Sequence, residues 1–407
     1  MNSTPDSTPE APLRHTLPAA LQSLIAKPAA AIDTPALVIH LDAMERNLAK
    51  MAAFARQHGM RWRPHAKMHK SAELALLQIA AGAVGVCVQK TAEAEALVAG
   101  GVRDVYISNQ VIALSKLQRV AKLATTLSRN GGRLAIAVDS LEGVRRLASV
   151  LGNTPAQIDV FVEIDVGQGR CGVSPGQPAL DLAQEIVRHR ALRFAGLQAY
   201  QGRAQHLRSA AERRTAIAAA TEAARHTRRR IAAAGIAVNL ITGAGTGSFA
   251  LEAASGVYGE LQTGSFLFMD ADYAHNQPGS DPSDPQHQAP RFEHALFIKS
   301  QVISVQAHHA VCDAGHKSHA IDSGLPSVHG WALDYANGGD EHGILRAQTA
   351  QTRLPALGNT VWLIPGHCDP TVNLHDYLIG VRAGANCDLA EGTVERVIRV
   401  DARGALT

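Results

Sequence analysis

The segment IDVFVEIDVGQGRCGVSPGQPALDLAQEIVRHRALRFAGLQAY, residues 158–200, decides the fold. It opens with an apolar β-type run, IDVFVEID (158–165), and passes through a helical stretch, LDLAQEIVRHRA (180–191). It returns to a second apolar run, LRFAGLQAY (192–200). Strand, helix and strand in that order predict a right-handed βαβ crossover in a parallel sheet. The rhythm continues on both sides. MRWRPHA (60–66), VGVCV (84–88), DVYISN (104–109) and RLAIAVD (133–139) precede the segment, and AVNLITG (237–243) and YGELQTGSF (258–266) follow it. Ala/Leu-rich stretches such as TAEAEALVAGG and RSAAERRTAIAAATEAARHTRRRIAAAG supply the helices. Eight strands between residues 60 and 266 predict an α/β fold of the (β/α)8 TIM-barrel type. A doubly wound open sheet is the alternative.

The rhythm stops near residue 276. NQPGSDPSDPQHQAP (276–290) reads as a connector. Beyond it, FIKSQVISVQA, HAVCDAG, TVWLIPG, LHDYLIGVRAG and TVERVIRVDARG are β-type runs separated by turn residues. They predict a second, mostly antiparallel β domain over 277–407, after a barrel over 33–276. PALVIHLD (35–42) precedes the eight barrel strands and is a candidate to join that second sheet. Residues 1–32, rich in Pro, Ser, Thr and Ala, read as a mobile or loosely docked lead-in.

Composition excludes several classes. The chain has 407 residues and 46% hydrophobic residues, enough for a large core, with only 4% aromatic. That core must be built of Ala, Val, Leu and Ile. Net charge is +3, too small for a protein held to nucleic acid or an anionic membrane by its charge. The basic run from Arg225 to Arg230 lacks interleaved aromatics and reads as the solvent face of a helix. The five cysteines form no CxxC pair, which points to a reducing compartment, the cytoplasm. No run of 18 apolar residues and no apolar leader core are present, so neither a membrane span nor a secretory signal is expected.

Barrel chemistry sits where strands end, so those positions hold the candidates. The first strand runs into Arg63-Pro64-His65-Ala66-Lys67-Met68-His69-Lys70. A partly desolvated lysine there can form a Schiff base with a carbonyl, and Lys67 is placed to enter the barrel mouth. Lys70 is the second candidate and starts a helix. Gly167 to Gly172 fits G-x-G-x-x-G, yet the next strand ends at Tyr200 rather than in a ribose-binding acid. Arg170 within that loop reads instead as a cation brought near a flat ligand. Tyr200 can face a cofactor ring, and His206 can serve as acid or base. Thr242-Gly243-Ala244-Gly245-Thr246-Gly247-Ser248 is the best phosphate cradle in the chain, since small residues let N–H groups approach an anion. It lacks the lysine of an NTP loop. In the β domain, His367 and Asp369 lie at i and i+2, on one side of an extended segment, where both can reach one divalent ion. Asp340-Glu341-His342-Gly343 reads as a solvated turn.

Taken together, RPHAKMHKS, CVQKTAEAEAL, ISNQV, EIDVGQGRCGV, GLQAYQGRAQH, ITGAGTGS, SGVYGELQTGSFLFMDADY, DSGLP, DEHG, PGHCDPTVNLHD and ARG resemble the D-threonine aldolase, D-serine dehydratase and D-3-hydroxyaspartate aldolase group. These are pyridoxal-phosphate enzymes with an alanine-racemase-like barrel and a β domain. The resemblance spans residues 33 to 404. It implies Lys67 as the Schiff-base lysine and Arg170 beside the cofactor's phenolic oxygen. It places Tyr200 by the pyridine ring and Gln89 beside the cofactor. Thr242, Gly243, Ala244, Gly245, Thr246, Gly247 and Tyr273 would form the phosphate side. His367 and Asp369 would hold Mn2+, Mg2+ or Zn2+, with His206 as the base near the β-hydroxyl.

The implied reaction is retro-aldol cleavage of a D-3-hydroxy amino acid to glycine and an aldehyde, by a homodimer. The alternatives are cleavage of D-3-hydroxyaspartate to glycine and glyoxylate, or metal-dependent dehydration of D-serine or D-threo-3-hydroxyaspartate. Dehydratases of the group usually carry Cys at the second metal position, where this chain has Asp369. HGMRW, KMHKS, MDADY, DSGLP and PGHCDPT look closer to the hydroxyaspartate aldolases.

Overall fold

The computed structural model describes residues 17–385 and 388–407. Its first strand, β1 (Ala36–His40), precedes the barrel. The eight strands expected from the sequence follow: β2 (Arg61–Trp62), β3 (Val86–Val88), β4 (Asp104–Ile107), β5 (Arg133–Val138), β6 (Ile158–Glu163), β7 (Leu192–Gln198), β8 (Leu240–Gly243) and β9 (Glu260–Leu261). They form one parallel sheet in the order β2-β9-β8-β7-β6-β5-β4-β3. Backbone bonds join its ends: Ala66 N–H donates to Cys87 O at 2.8 Å, and Cys87 N–H to Pro64 O at 2.8 Å. The sheet is therefore a closed barrel rather than an open doubly wound one.

Alternation along each strand sorts the side chains. Val86, Val105, Ile107, Leu134, Ile136, Val160 and Val162 point outward into the helix layer. Cys87, Tyr106, Ala135, Ala137 and Phe161 point into the barrel, where the Tyr106 and Phe161 rings lie 4.9 Å apart. Both faces of the middle strands are largely apolar, as a covered parallel sheet requires. The interior also holds an ion pair. Arg63 Nη1 donates to Asp104 at 2.5 Å and Arg63 Nε to the fully buried Glu260 at 3.3 Å. Burial disfavours the charged guanidinium, but Glu260 and Asp104 outweigh it and hold Arg63 protonated.

The second sheet has nine strands. They are β1 with β10 (Leu296–Val305), β11 (Ala310–Cys312), β12 (Ser327–Val328), β13 (Leu333–Asn337), β14 (Gly343–Ala347), β15 (Thr360–Ile364), β16 (Tyr377–Arg382) and β17 (Thr393–Arg399). β1 lies inside this sheet, antiparallel to β10 and parallel to β16. Its Leu37, Val38 and Ile39 are buried, as a central strand demands. The chain thus enters the β domain first, crosses to the barrel by the helix Leu41–Gln57, and returns after β9.

Two segments outside the strand rhythm are bound to the domains. Residues 1–16 lie outside the described residues, but the rest of the lead-in is docked. Ala26 N–H donates to Val394 O at 2.8 Å, Val394 N–H to Lys27 O at 2.9 Å, and Lys299 Nζ to Ile32 O at 2.5 Å. The connector is also bound to the barrel. It contains a short helix, Pro285–Gln288, and Gln286 accepts from Arg213 at 2.8 Å. Neither contact has a periodic signature in the sequence.

Removing one partner of a buried ion pair leaves an uncompensated charge. Glu260→Ala should therefore cost about 3–5 kcal/mol of stability, read by equilibrium denaturation. A loss under about 1 kcal/mol would show that Asp104 alone compensates Arg63.

Candidate active site

The barrel mouth opens into a cavity lined by Lys67, Gln89, Arg170 and Tyr200 on one side and by Ala244, Gly245, Thr246 and Tyr273 on another. Asp369 of the β domain closes it. Lys67 reaches the cavity because β2 ends in a tight turn, in which Lys70 N–H donates to Ala66 O at 2.7 Å. Its ammonium is ion-paired with Asp369 Oδ2. Burial pulls the Lys67 pKa down, but the Asp369 carboxylate outweighs that and holds it above its ordinary value. Lys70 does not line the cavity. It is buried and paired with Glu93 at 2.6 Å, which removes it as a carbonyl-binding lysine.

Arg170 and Tyr200 face each other, with the guanidinium carbon 6.0 Å from the ring centroid. The glycine loop that carries Arg170 has its three glycine amides already bonded. Asp165 Oδ1 accepts from Gly167 N–H at 2.9 Å and from Gly169 N–H at 3.0 Å, and Asp139 accepts from Gly172 N–H at 3.1 Å. The three glycine amides that a dinucleotide pyrophosphate would need are thus already engaged by carboxylates.

The loop after β8 is used only in part. Ala244 (φ +70°), Gly245 and Thr246 line the cavity. Thr242, Gly243 and Gly247 do not. Thr242 lies inside the barrel, where its hydroxyl donates to Glu260 at 3.0 Å and accepts from Gln262 at 2.7 Å. A Cβ on Gly243 would sit 2.7 Å from Ala199 O, and one on Gly245 2.3 Å from Gln205 Oε1. Gly247 N–H is already donated to Gln205 Oε1 at 2.9 Å. Close packing on Gln205 and the neighbouring strand requires these glycines. The cradle itself narrows to residues 244–246, and its geometry still suits a phosphate: small residues, a left-handed turn and an open mouth.

His206 lies outside the cavity lining. Its Nδ1 is 2.7 Å from Asp272 Oδ2, and its ring centroid is 5.9 Å from that of Tyr273, which does line the cavity. Arg208 shares Asp272, so the carboxylate is ionised: burial opposes this, and Arg208 and His206 outweigh it and keep its pKa low. An ionised Asp272 holds the proton on Nδ1 and leaves Nε2 free to accept one.

His367 and Asp369 converge, with Nε2 3.8 Å from Oδ1. The expected extended segment is instead the start of a helix: His367 has extended backbone and caps Cys368–Val372. Cys368 is buried. His367 Nδ1 lies 2.7 Å from Asp322 Oδ2, which fixes the tautomer with Nε2 free. Asp369 Oδ1 is buried without a hydrogen-bond partner. That orphaned oxygen beside a free imidazole nitrogen is a donor set that suits a divalent ion. Among the described residues no group of three or more His, Cys, Asp and Glu converges, so a bound ion would keep open positions.

His65, Ser108, Gln198 and Gln262 also line the cavity, and residue patterns did not single them out. His65 Nε2 lies 3.1 Å from both Ser108 Oγ and Gln89 Nε2. Burial and then Lys67 hold His65 neutral. Asp272 and Asp322 fell within quoted motifs, MDADY and DSGLP, but only a fold shows which histidine each one meets.

A parallel barrel with a lysine, an arginine and two tyrosines at its mouth, closed by a β domain, is the architecture of the alanine-racemase-type enzymes. Residues 39–272 match the model of the alanine racemase N-terminal domain, and residues 295–381 that of a putative serine dehydratase domain. The chain is 40% identical over 376 residues to a 3-hydroxy-D-aspartate aldolase of Paracoccus denitrificans (strain Pd 1222), covering 92% of each chain. It is 41% identical over 379 residues to a D-threonine aldolase of Arthrobacter, covering 93% of this chain and 94% of that one. The crystal structure of D-threonine aldolase from Filomicrobium marinum matches it with a TM-score of 0.88 at 43% identity, over 94% of this chain and 99% of that one. The chain belongs to this family of pyridoxal-phosphate enzymes.

Below Lys67, buried His69 is bonded to Gln78 at 3.2 Å, and burial holds its pKa down to about 4. An unfolded histidine protonates near about 6.5, so the unfolded chain takes up the proton first and stability is lost as pH falls from there to about 4. His69→Gln should shrink that loss by about 3 kcal/mol, read by urea denaturation across the same range. An unchanged pH dependence would show that His69 titrates freely.

Proposed function

We propose that the chain is a pyridoxal-phosphate- and divalent-metal-dependent aldolase that cleaves D-3-hydroxy amino acids of the D-threonine type to glycine and an aldehyde. One observation carries the reading. Lys67 of the barrel and Asp369 of the β domain line one cavity and are ion-paired, and His367 Nε2 stands 3.8 Å from the other oxygen of Asp369. A racemase moves a proton at Cα and has no need of a donor pair beside its lysine. The D-threonine and 3-hydroxy-D-aspartate aldolases among the relatives support the same chemistry.

Bound pyridoxal phosphate supplies an electron sink for charge left at Cα, and a divalent ion (Mn2+, Mg2+ or Zn2+) supplies a Lewis acid near the β-hydroxyl. Lys67 is the attachment point. Gly245, Thr246 and their amides hold the phosphate, with Tyr273 beside them. Arg170, Tyr200 and Gln89, which line the same cavity, would bind the ring. His367 Nε2 and Asp369 Oδ1 hold the metal. His206, kept in one tautomer by Asp272, accepts the proton of the β-hydroxyl at Nε2. Asp369 at the second metal position favours cleavage over dehydration. The four described cysteines are unpaired, which suits the cytoplasm, and no helix among the described residues is long and apolar enough to cross a membrane. The family resemblance further implies a homodimer.

Product analysis tests the reading. With pyridoxal phosphate and Mn2+, D-threonine should yield glycine and acetaldehyde, and D-3-hydroxyaspartate glycine and glyoxylate. A 2-oxo acid with ammonia would instead establish a dehydratase. Lys67→Ala should lose activity by on the order of 10³-fold or more. EDTA should abolish activity while the absorbance of the bound cofactor persists; full activity after exhaustive chelation would remove the metal from the reaction.

A further inference from the structure

Lys70 is the lysine that the cavity does not use. It lies three residues beyond Lys67 with φ +53°, in the left-handed region that a side-chain-bearing residue rarely adopts. Such a conformation persists only where the surroundings over-determine it. Here they do so from three sides. Its N–H closes the Lys67 turn on Ala66 O at 2.7 Å, and its carbonyl accepts from Ala402 N–H at 2.9 Å. Its ammonium donates to Glu93 Oε1 at 2.6 Å, with the two side chains 7% and 4% exposed.

Glu93 is equally committed. Its other oxygen accepts from Gln89 N–H at 2.8 Å and from Lys90 N–H at 3.1 Å, so it holds the turn after β3. Gln89 lines the cavity, and its amide lies 3.1 Å from His65 Nε2. The DARG turn (401–404) backs the arrangement: Asp401 accepts from Ala72 N–H, at the start of the next helix, at 2.8 Å. A buried ion pair is a weak source of stability, because desolvation offsets most of the attraction. What it does supply is a fixed geometry between two loops.

We propose that Lys70 and Glu93 are positioning residues: their buried ion pair locks the Lys67 turn to the Gln89 turn, and so sets where the cofactor's lysine stands in the cavity. The inference rests on Lys67 being the attachment point. It assigns a use to the second lysine, to Glu93 and to the DARG turn.

The test uses the full chain freed of cofactor and titrated with pyridoxal phosphate. The double variant Lys70→Met/Glu93→Gln keeps the volume and the acceptor for Gln89 N–H, but removes the tie between the turns. Melting temperature, cofactor dissociation constant and the rate of borohydride trapping at Lys67, located by peptide mass, are read together. The double variant should melt cooperatively yet bind pyridoxal phosphate at least 10-fold more weakly and be trapped correspondingly more slowly. Lys70→Arg, which keeps the ion pair, should stay within about threefold of the parent on the same scale of effects. A folded double variant with the parent's affinity and trapping rate overturns the inference and leaves the pair merely structural. Should the double variant fail to fold, Glu93→Gln alone decides, with at least threefold weaker binding expected and unchanged binding overturning the proposal. If the parent protein itself is not trapped at Lys67, the proposed function fails instead.

Discussion

One buried carboxylate joins the two halves of the site. Asp270 accepts from Tyr273 N–H at 3.0 Å and from Cys368 N–H at 3.1 Å. The first bond caps the short helix that carries Asp272 and Tyr273. The second holds the backbone between His367 and Asp369. Backbone bonds run alongside, from Ala271 N–H to Pro365 O at 3.0 Å and from Asp272 N–H to Gly366 O at 3.2 Å. Burial pushes Asp270 up to about 6 even though both N–H bonds pull the other way. At neutral pH the charge therefore persists because two donors hold it. Through this seam the barrel segment 270–273 and the His367–Asp369 turn are held side by side, next to the Lys67–Asp369 ion pair.

The site's electrostatics follow from that juxtaposition. Lys67 and Asp369 compensate each other's burial, and each is shifted toward its charged form. The two candidate histidines each have a carboxylate behind them: Asp272 behind His206 and Asp322 behind His367. His65, which has no carboxylate bonded to it in this way, stays neutral. Each such carboxylate selects which ring nitrogen is free. The barrel beneath is kept rigid by a different device, the Arg63–Glu260–Asp104 ion pair set among small side chains.

The parallel strands were legible because their apolar runs recur at nearly even spacing and each ends in small or polar residues. β1 was legible only as an apolar run, since no local rule says which of two sheets it enters. Lys67 and Lys70 look alike in sequence; a three-residue offset in a tight turn sends one to the mouth and the other to Glu93. The glycines of ITGAGTGS read correctly as close approach, yet what approaches Gly243, Gly245 and Gly247 is protein: Ala199 and Gln205. The G-x-G-x-x-G match misleads for a related reason. A motif records backbone permissiveness, and Asp165 and Asp139 have taken the amides of its three glycines.

By itself, the sequence determined the parallel (β/α)8 barrel, the later β domain, and the residue types at the strand ends from which a carbonyl-binding lysine, a phosphate loop and a His–Asp pair could be drawn. These rest on local periodicity and on chemistry that a few neighbouring residues carry together. Only the tertiary structure decided that Asp369 stands against Lys67, that Asp272 and Asp322 orient the two histidines, and that Lys70 is locked to Glu93. Those pairs lie 302, 66, 45 and 23 residues apart. Contacts at such separations have no period and no neighbour to betray them, because the folding of each domain and the meeting of the two create them.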